Sequence, residues 1–143
     1  MHLADFPRAD ADLAAWADEL DTGDFGRRWA AALALRDQVN ERLEAARQQK
    51  AIGKSLEAEV TVQASRALHD TLAPLSADLP MLFNVSSVVL EAADGREGAG
   101  VEVRPAPGDK CPRCWRYVRD VVTTGASAGI CRRCADATGD PGA

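Results

Sequence analysis

The spacing of the cysteines is the feature that most constrains how this chain can fold. All four lie towards the C-terminus in the pattern C-x2-C-x16-C-x2-C, at positions Cys111, Cys114, Cys131 and Cys134. A C-x2-C pair can bring two sulfur atoms to one ion from a tight turn, and four thiolates satisfy a tetrahedral zinc ion. The residues between the pairs can form a hairpin that returns the second pair to the first. The spacing therefore predicts a zinc ribbon with one structural zinc ion per chain.

The same spacing argues against two other uses of the thiols. A redox dithiol would explain one C-x-x-C pair but not two, and the flanking sequence lacks the βαβ pattern typical of such proteins. A catalytic zinc ion needs an open coordination position, which four sulfur ligands do not leave. We therefore expect a structural metal and no catalytic residue in this segment.

Basic residues are concentrated around the cysteines. Residues 104–134 contain seven basic side chains and two acidic ones, although the whole chain has a net charge of -5. Two interpretations are open: the arginines neutralise a negatively charged zinc–thiolate site, or the segment faces a polyanion. Trp115 and Tyr117 lie among these charges and could stack on unpaired RNA bases. Trp115 could equally form the small core of the ribbon.

The hydropathy of the chain indicates its cellular setting. No apolar run approaches the roughly 18 residues that a membrane span requires. The N-terminal sequence MHLADFPRADAD is acidic, whereas a signal peptide begins with basic and then apolar residues. We therefore expect no membrane contact and a cytoplasmic location. Paired cysteines in that reducing compartment bind metal more often than they form disulfides.

A long amphipathic helix is predicted from residue 25 onwards. Apolar residues recur at steps of three and four, and neither proline nor glycine occurs between Arg27 and Ala51. Arg36 and Arg47 fall inside the apolar stripe, at about 20° and 40° from Phe25 on a helical projection. Their stems could lie along apolar surface with the charged heads in water. Alternatively, the two side chains could bind phosphate or a buried carboxylate.

The rest of the sequence predicts a small mixed sheet with a covering helix. EAEVTV alternates as a half-buried strand does, LFNVSSVVL and AGVEVRP are two further strands, and Ser65 is a candidate N-cap for a short helix over SRALHDTLAPL. Gly53 is expected to end the long helix in a left-handed conformation. The residues expected in the core are Phe25, Trp29, Val39, Leu43, Val60, Val62, Phe83, Val85 and Val88.

These elements give an α+β fold class, in which a long amphipathic helix and a small mixed sheet are followed by a ZnCys4 zinc ribbon. Residues 1–23 are expected to be a connecting segment with a short amphipathic helix, and residues 24–105 a helix with a small α/β subdomain. Residues 106–135 are the predicted zinc-ribbon module. Residues 136–143 are too polar and glycine-rich to pack, so we expect a flexible tail.

Several segments resemble the C-terminal part of bacterial isoleucyl-tRNA synthetases. KCPRCWRYVRDV followed by ICRRC is similar to the zinc-binding segment of that family. LADFP resembles the segment that follows the catalytic module, and LRDQVNERLEAARQQKAIGKSLEAEVTV the last helix and next strand of the anticodon-binding region. LFNVSSV resembles the strand before the zinc module. The resemblance covers nearly the whole chain in family order.

The resemblance implies a role in holding isoleucine tRNA near its anticodon while a distant site aminoacylates it with ATP. The family's HIGH-type and KMSKS-type motifs and its editing domain are absent from these 143 residues, so those functions would come from catalytic and editing domains in cis or in trans. Charge and aromatic character select the side chains expected to contact tRNA. They are Arg36, Arg47, Lys50, Lys54, Arg113, Trp115, Arg116 and Arg133.

Two other classes of function remain open at the level of sequence. One is a free-standing zinc-ribbon adaptor that binds a protein partner instead of RNA. The other is a structural appendage whose zinc ion only stabilises a chain terminus. Binding to tRNA at moderate salt distinguishes the first from a tRNA-binding protein, and variants that bind tRNA normally but melt early indicate the second.

Overall fold

The computed structural model describes residues 11–95 and 97–139 and confirms the predicted α+β fold class. The predictions made for residues 1–10 and 140–143, including the LADFP segment, lie outside the described residues. The helices are α1 (Ala11–Thr22), α2 (Asp24–Gln48), α3 (Arg66–Leu72), α4 (Leu79–Leu82) and α5 (Arg132–Thr138). The strands are β1 (Ala58–Ala64), β2 (Ser87–Ala92), β3 (Ala99–Pro105), β4 (Asp109–Lys110) and β5 (Tyr117–Val118).

Helix α2 has the predicted length of 25 residues and packs its apolar stripe against the sheet and α3. Val39 and Leu43 are buried as predicted. The prediction that Phe25 and Trp29 belong to the core is wrong, since they are 52% and 38% exposed. A helix of this length spans about 37 Å, whereas strands of six or seven residues span about 20–23 Å. The sheet is therefore too small to cover α2, and the first turns of the helix extend beyond it.

The main sheet has three strands in the order β2-β1-β3, with β1 parallel to β2 and antiparallel to β3. Val60 lies opposite Val88 and Val103 in this register. The prediction that β1 is half-buried is wrong, because every residue of the strand except Gln63 is buried. On the face of β1 that carries its polar residues, Glu59 and Thr61 are enclosed between the flanking strands, and Glu59 accepts hydrogen bonds from Ser87 and Arg104, whereas Gln63 remains exposed.

The chain leaves α2 through a turn that differs from the predicted one. Lys50, not Gly53, adopts the left-handed conformation, with φ at 58°. The N–H of Ala51 then donates to the carbonyl of Ala46 at 2.9 Å, which closes the helix end. The carboxylate of Glu57 accepts from the N–H groups of Gly53 and Lys54 at 2.7 and 3.2 Å. These contacts fix the loop that carries two of the lysines expected to bind RNA.

The connection from β1 to β2 contains the short helices α3 and α4. Ser65 caps α3 as predicted, because its hydroxyl accepts from the N–H of Leu68 at 3.4 Å. The segment LFNVSSVVL was predicted as one strand, but its first part is not a strand. Helix α4 ends at Leu82, and β2 starts only at Ser87. Phe83 and Val85 lie in this turn and are buried. Among the described helices, none is long and apolar enough to cross a membrane.

Candidate zinc centre and the surface around it

The four cysteines form one cluster. Their sulfur atoms all lie within 4.8 Å of one another, with Cys111 and Cys134 at 3.9 Å and Cys114 and Cys131 at 3.7 Å. A disulfide would bring two sulfurs to about 2.05 Å, and all four thiols are free. Zn–S bonds of about 2.3 Å in a tetrahedron separate neighbouring sulfurs by about 3.8 Å. The donor set and its spacing therefore fit a four-coordinate zinc ion.

The first pair of ligands lies in the turn between β4 and β5. Lys110 pairs with Tyr117 in this short hairpin, the N–H of Cys111 donates to the carbonyl of Arg116 at 2.9 Å, and that of Trp115 to the carbonyl of Cys111 at 2.8 Å. These bonds make a tight knuckle that directs Cys111 and Cys114 to the same point. Trp115 has a φ of 66°, a left-handed conformation that is rare for a large side chain.

The second pair of ligands lies at the start of α5. Cys131 is the N-cap of this helix, and an isolated bridge joins it to Val121. Cys134 follows in the first helical turn and is buried. The sequence predicted a ribbon up to residue 135 followed by a flexible tail, whereas α5 continues to Thr138. A helical turn places residues three apart on the same side, which explains how this C-x2-C pair reaches one ion.

Three of the four thiols have shifted pKa values. Burial disfavours ionisation of Cys111, but backbone N–H groups of Cys114, Cys131 and Arg113 donate to its sulfur and lower its pKa to about 6. Burial raises the pKa of Cys114, and it raises the pKa of Cys131 to about 12. Four adjacent thiols therefore do not all ionise near neutral pH by themselves. A divalent metal that pairs with the thiolates favours their ionised form.

The zinc module is joined to the main sheet by hydrogen bonds at Ser86. The guanidinium of Arg116 donates from Nε to the Ser86 carbonyl at 3.0 Å and also from Nη2. The N–H of Tyr117 donates to the Ser86 hydroxyl at 2.7 Å, and this hydroxyl donates to the carbonyl of Leu56. Sequence reasoning missed this junction, because its partners are about 30 residues apart and no local pattern connects them.

The structure separates the eight expected RNA contacts into two groups. Arg47 donates to Glu44 at 3.0 Å and to the hydroxyl of Ser55, and Arg116 is bonded to Ser86. These two guanidinium groups therefore have partners within the chain. The other six side chains are exposed: Arg36, Lys50, Lys54, Arg113, Trp115 and Arg133.

Trp115 is not the core of the zinc module. Its side chain is 61% exposed, so the core-packing interpretation is wrong. The metal ligands and the partly buried Val118 and Ile130 form the interior instead. One cavity of about 180 Å³ is lined by Arg116, Arg133 and the metal-binding residue Cys114. The structure thus brings two of the expected basic residues together beside the metal cluster.

Comparison with known proteins gives consistent matches. Residues 108–137 match the family model described as a zinc finger found in FPG and IleRS. The isoleucine–tRNA ligase of Geobacter sulfurreducens is 37% identical over 145 residues, which cover 96% of this chain and 15% of that protein. The isoleucine–tRNA ligase of Ralstonia pickettii is 41% identical over 109 residues, which cover 76% of this chain and 11% of that protein. Isoleucine–tRNA ligase 2 of Burkholderia mallei is 42% identical over 107 residues, 75% of this chain and 11% of that protein.

These matches bear on the metal and on the extent of the chain. The zinc-finger family and the cluster of four thiols agree on a structural zinc ion, which confirms the predicted cofactor. The chain spans only 11 to 15% of the length of these relatives. The relatives therefore contain much more protein than the part described above.

Proposed function

Because the chain is homologous to the C-terminal region of isoleucine–tRNA ligases, we propose that it binds isoleucine tRNA near the anticodon and positions it for aminoacylation. In this proposal, ATP-dependent aminoacylation takes place in a catalytic domain and editing in an editing domain. Both domains act in cis or in trans, in the cytoplasm. The chain has neither a HIGH-type nor a KMSKS-type motif. We therefore expect the pure chain to give no isoleucine-dependent pyrophosphate exchange above background.

The zinc ion has a structural part in this proposal. Each chain holds one ion through Cys111, Cys114, Cys131 and Cys134. When bound, the metal supplies a crosslink between the β4–β5 turn and the start of α5. Arg113 and Trp115 lie on that turn, directly between or beside metal ligands. Their positions relative to the sheet thus depend on the folded metal site.

The observation that carries the proposal is the conformation of Trp115. A large residue held at a φ of 66° costs about 1–2 kcal/mol. A ring that is 61% exposed regains little of that cost by burial. Exposed aromatic rings beside basic side chains are the usual platform for unpaired RNA bases, and Arg113 and Arg133 supply the charge. We therefore assign Trp115 to stacking on a base of the tRNA.

The remaining exposed cations are suited to phosphate contacts. Lys50 and Lys54 lie in the loop after α2, and Arg36 lies on α2 itself. Arg47 and Arg116 were expected to contact RNA, but their bonds within the chain suit them to positioning instead. Either guanidinium group can bind a phosphate only if it breaks its hydrogen bonds within the chain, to Glu44 and Ser55 for Arg47 or to Ser86 for Arg116. We therefore expect substitution of Arg116 to loosen the zinc module and substitution of Lys54 to weaken RNA binding alone.

The test is a titration of the zinc-loaded chain with isoleucine tRNA and with an unrelated tRNA. Three to five phosphate contacts predict that affinity falls by about two orders of magnitude between about 50 and 200 mM salt. The Trp115→Ala variant should bind roughly 5- to 150-fold more weakly, which corresponds to the loss of about 1–3 kcal/mol of stacking. Zinc content and circular dichroism should match the unmodified chain.

The matched control is Trp16→Ala, because Trp16 is 60% exposed but lies on α1, away from the zinc module in sequence. Its RNA affinity should be unchanged. The proposal fails if Trp115→Ala and Trp16→Ala bind equally well, or if no tRNA binds at 50 mM salt. The second result would favour the zinc-ribbon adaptor that binds a protein. Exposed apolar side chains on α1 and α2 are the observation that supports this alternative.

A further inference from the structure

The four zinc ligands differ in how far solvent reaches them. Cys111, Cys131 and Cys134 are 0%, 3% and 2% exposed, whereas Cys114 is only partly buried. The sulfur of Cys111 also accepts hydrogen bonds from backbone N–H groups, one of them that of Cys131 at 3.4 Å. Such bonds withdraw electron density from a ligand sulfur. Cys114 is therefore the ligand that a small molecule from solvent reaches most easily.

Cys114 lines the cavity of about 180 Å³ beside the zinc module. Leu56 and Met81 contribute apolar side chains to the same cavity, and Arg116 and Arg133 contribute positive charge. Because a water molecule occupies about 30 Å³ in the liquid, a cavity of this volume admits a molecule as small as hydrogen peroxide. Reactive cysteines occur in partly exposed, electropositive surroundings. The surroundings of Cys114 meet both conditions.

A second sulfur atom lies in contact with Cys114. The Sγ atom of Cys131 is 3.7 Å away, although the two residues are 17 positions apart in the chain. Cys131 is buried, so an oxidant from solvent reaches it less easily than it reaches Cys114. An oxidised Cys114 sulfur would therefore meet the neighbouring Cys131 sulfur inside the protein. A bond between them would join the β4–β5 turn to the start of α5.

We propose that Cys114 is a peroxide-reactive thiolate whose oxidation opens the zinc centre. In the zinc-loaded chain the ligand sulfurs are thiolates, the form that attacks oxidants. The Cys114 sulfur attacks one oxygen of hydrogen peroxide, so that an S–O bond forms, the O–O bond breaks and hydroxide leaves. The Cys131 thiolate then attacks the Cys114 sulfur, forms a disulfide and expels a second hydroxide. The two thiolates lose two electrons, and with two protons one peroxide becomes two water molecules.

The disulfide removes two of the four ligands. Cys111 and Cys134 remain as thiolates, which are too few for a structural site that needs four ligands. The crosslink that orients Arg113 and Trp115 is thereby changed from a metal to a disulfide. A thiol reductant reverses the oxidation, because neither sulfur has passed beyond the disulfide level. The inference goes beyond the proposed function, since it concerns the metal site and holds whether the zinc module binds RNA or a protein.

The experiment adds limiting hydrogen peroxide to the full zinc-loaded chain. Arg113, Arg116 and Arg132 separate the cysteines in sequence, so trypsin places each cysteine on its own peptide. Mass spectrometry after alkylation with N-ethylmaleimide then identifies free thiols and disulfides, and a chromogenic chelator measures released zinc. The disulfide between Cys114 and Cys131 should form first, with zinc release in proportion to it. Without peroxide, Cys114 should be alkylated at least about tenfold faster than the three buried cysteines.

Substitutions of Met81 test the route through the cavity. Met81 lines the cavity and is 70% exposed, so a larger side chain there can narrow the cavity without disturbing the core. Met81→Trp should slow alkylation and oxidation of Cys114 at least about threefold, because access limits both reactions. The matched control, Met81→Leu, should stay within about twofold of the unmodified chain. It also removes the possibility that oxidation of the Met81 sulfur causes the zinc release.

Several outcomes would overturn the inference. One is a first disulfide within either C-x2-C pair, and another is alkylation of all four thiols at equal rates. Oxidation of Cys114 without zinc release, or equal rates in Met81→Trp and Met81→Leu, would also contradict it. Reduction with dithiothreitol in the presence of zinc should restore the original zinc content. A sulfinic acid at Cys114 in place of the disulfide would show irreversible damage and no resolving role for Cys131.

Discussion

Replacing Ser86 with alanine should weaken the junction between the sheet and the zinc module. Ser86 is 1% exposed, and its hydroxyl has one partner on each side of the junction. It accepts from the N–H of Tyr117 at 2.7 Å and donates to the carbonyl of Leu56. Alanine fills nearly the same volume, so the change removes two hydrogen bonds without opening a large cavity. The two backbone partners then remain desolvated and unpaired.

The expected loss follows from those two groups. A buried donor or acceptor left without a partner costs about 1–3 kcal/mol. Because the guanidinium of Arg116 still bonds to the Ser86 carbonyl, part of the junction survives, and we expect a total loss of about 2–4 kcal/mol. For a chain of this size, 1 kcal/mol shifts the melting temperature by roughly 3–4 °C. The melting temperature of Ser86→Ala should therefore fall by about 10 °C.

Urea and thermal unfolding, each followed by circular dichroism and by zinc release to a chromogenic chelator, measure this loss. The matched control is Ser76→Ala, because Ser76 is exposed and exposed substitutions usually change stability by less than about 0.5 kcal/mol. Zinc release from Ser86→Ala should begin at a lower temperature than release from the control. Equal stability of the two variants would refute the argument that this hydroxyl joins the two parts.

Three further outcomes test the site and its support. Gly108→Ala should weaken zinc retention more than Gly129→Ala. Both glycines have φ near +95°, but of the two only Gly108 would place a Cβ atom against another backbone atom, the Val118 oxygen at 2.2 Å. Equal resistance of the two variants to a chelator would contradict this. The hydrogen bond from the Ser87 hydroxyl, followed by the interaction with Arg104, lowers the pKa of Glu59 in the folded state. The ionised Glu59 carboxylate therefore contributes stability above the unfolded pKa of about 4.3, and this contribution is lost as pH falls through the folded value. Denaturant midpoints should therefore show Glu59→Gln to be less stable at pH 7, by about 1 kcal/mol, and the difference should shrink as pH falls below the unfolded pKa; a difference that does not change with pH would be inconsistent. Chelation should unfold residues 106–135 while residues 24–105 keep their helical circular dichroism, because the helix and sheet have a metal-free core; loss of most helical signal would show one cooperative unit.

The zinc site was predictable because its information is local. Two C-x2-C pairs determine the ligand type and number, and the chemistry of zinc supplies the geometry. The 25-residue helix was predictable for a similar reason, since periodic apolar residues act along a single element. The positions of β1 and β3 followed from alternation and flanking turns. In each case, a short window of sequence contains the physical cause of the structure.

The exposure of the aromatic residues was not predictable from such windows. Phe25 and Val39 belong to the same apolar stripe, yet only Val39 is buried. The difference arises because a three-stranded sheet covers only part of α2, and the size of a sheet depends on pairings between distant segments. Trp115 is also exposed, and the interior of the zinc module consists of the cysteines with Val118 and Ile130 instead.

The roles of the basic residues were also decided by tertiary structure. Charge and composition alone made Arg116 and Arg113 equivalent candidates for RNA contact. Folding bonds Arg116 to Ser86, 30 positions away, and leaves Arg113 exposed. A sequence determines which groups can donate, accept or bind a metal. Which of them remain available to a partner depends on non-local contacts, because hydrogen bonds formed inside the fold remove those groups from the surface.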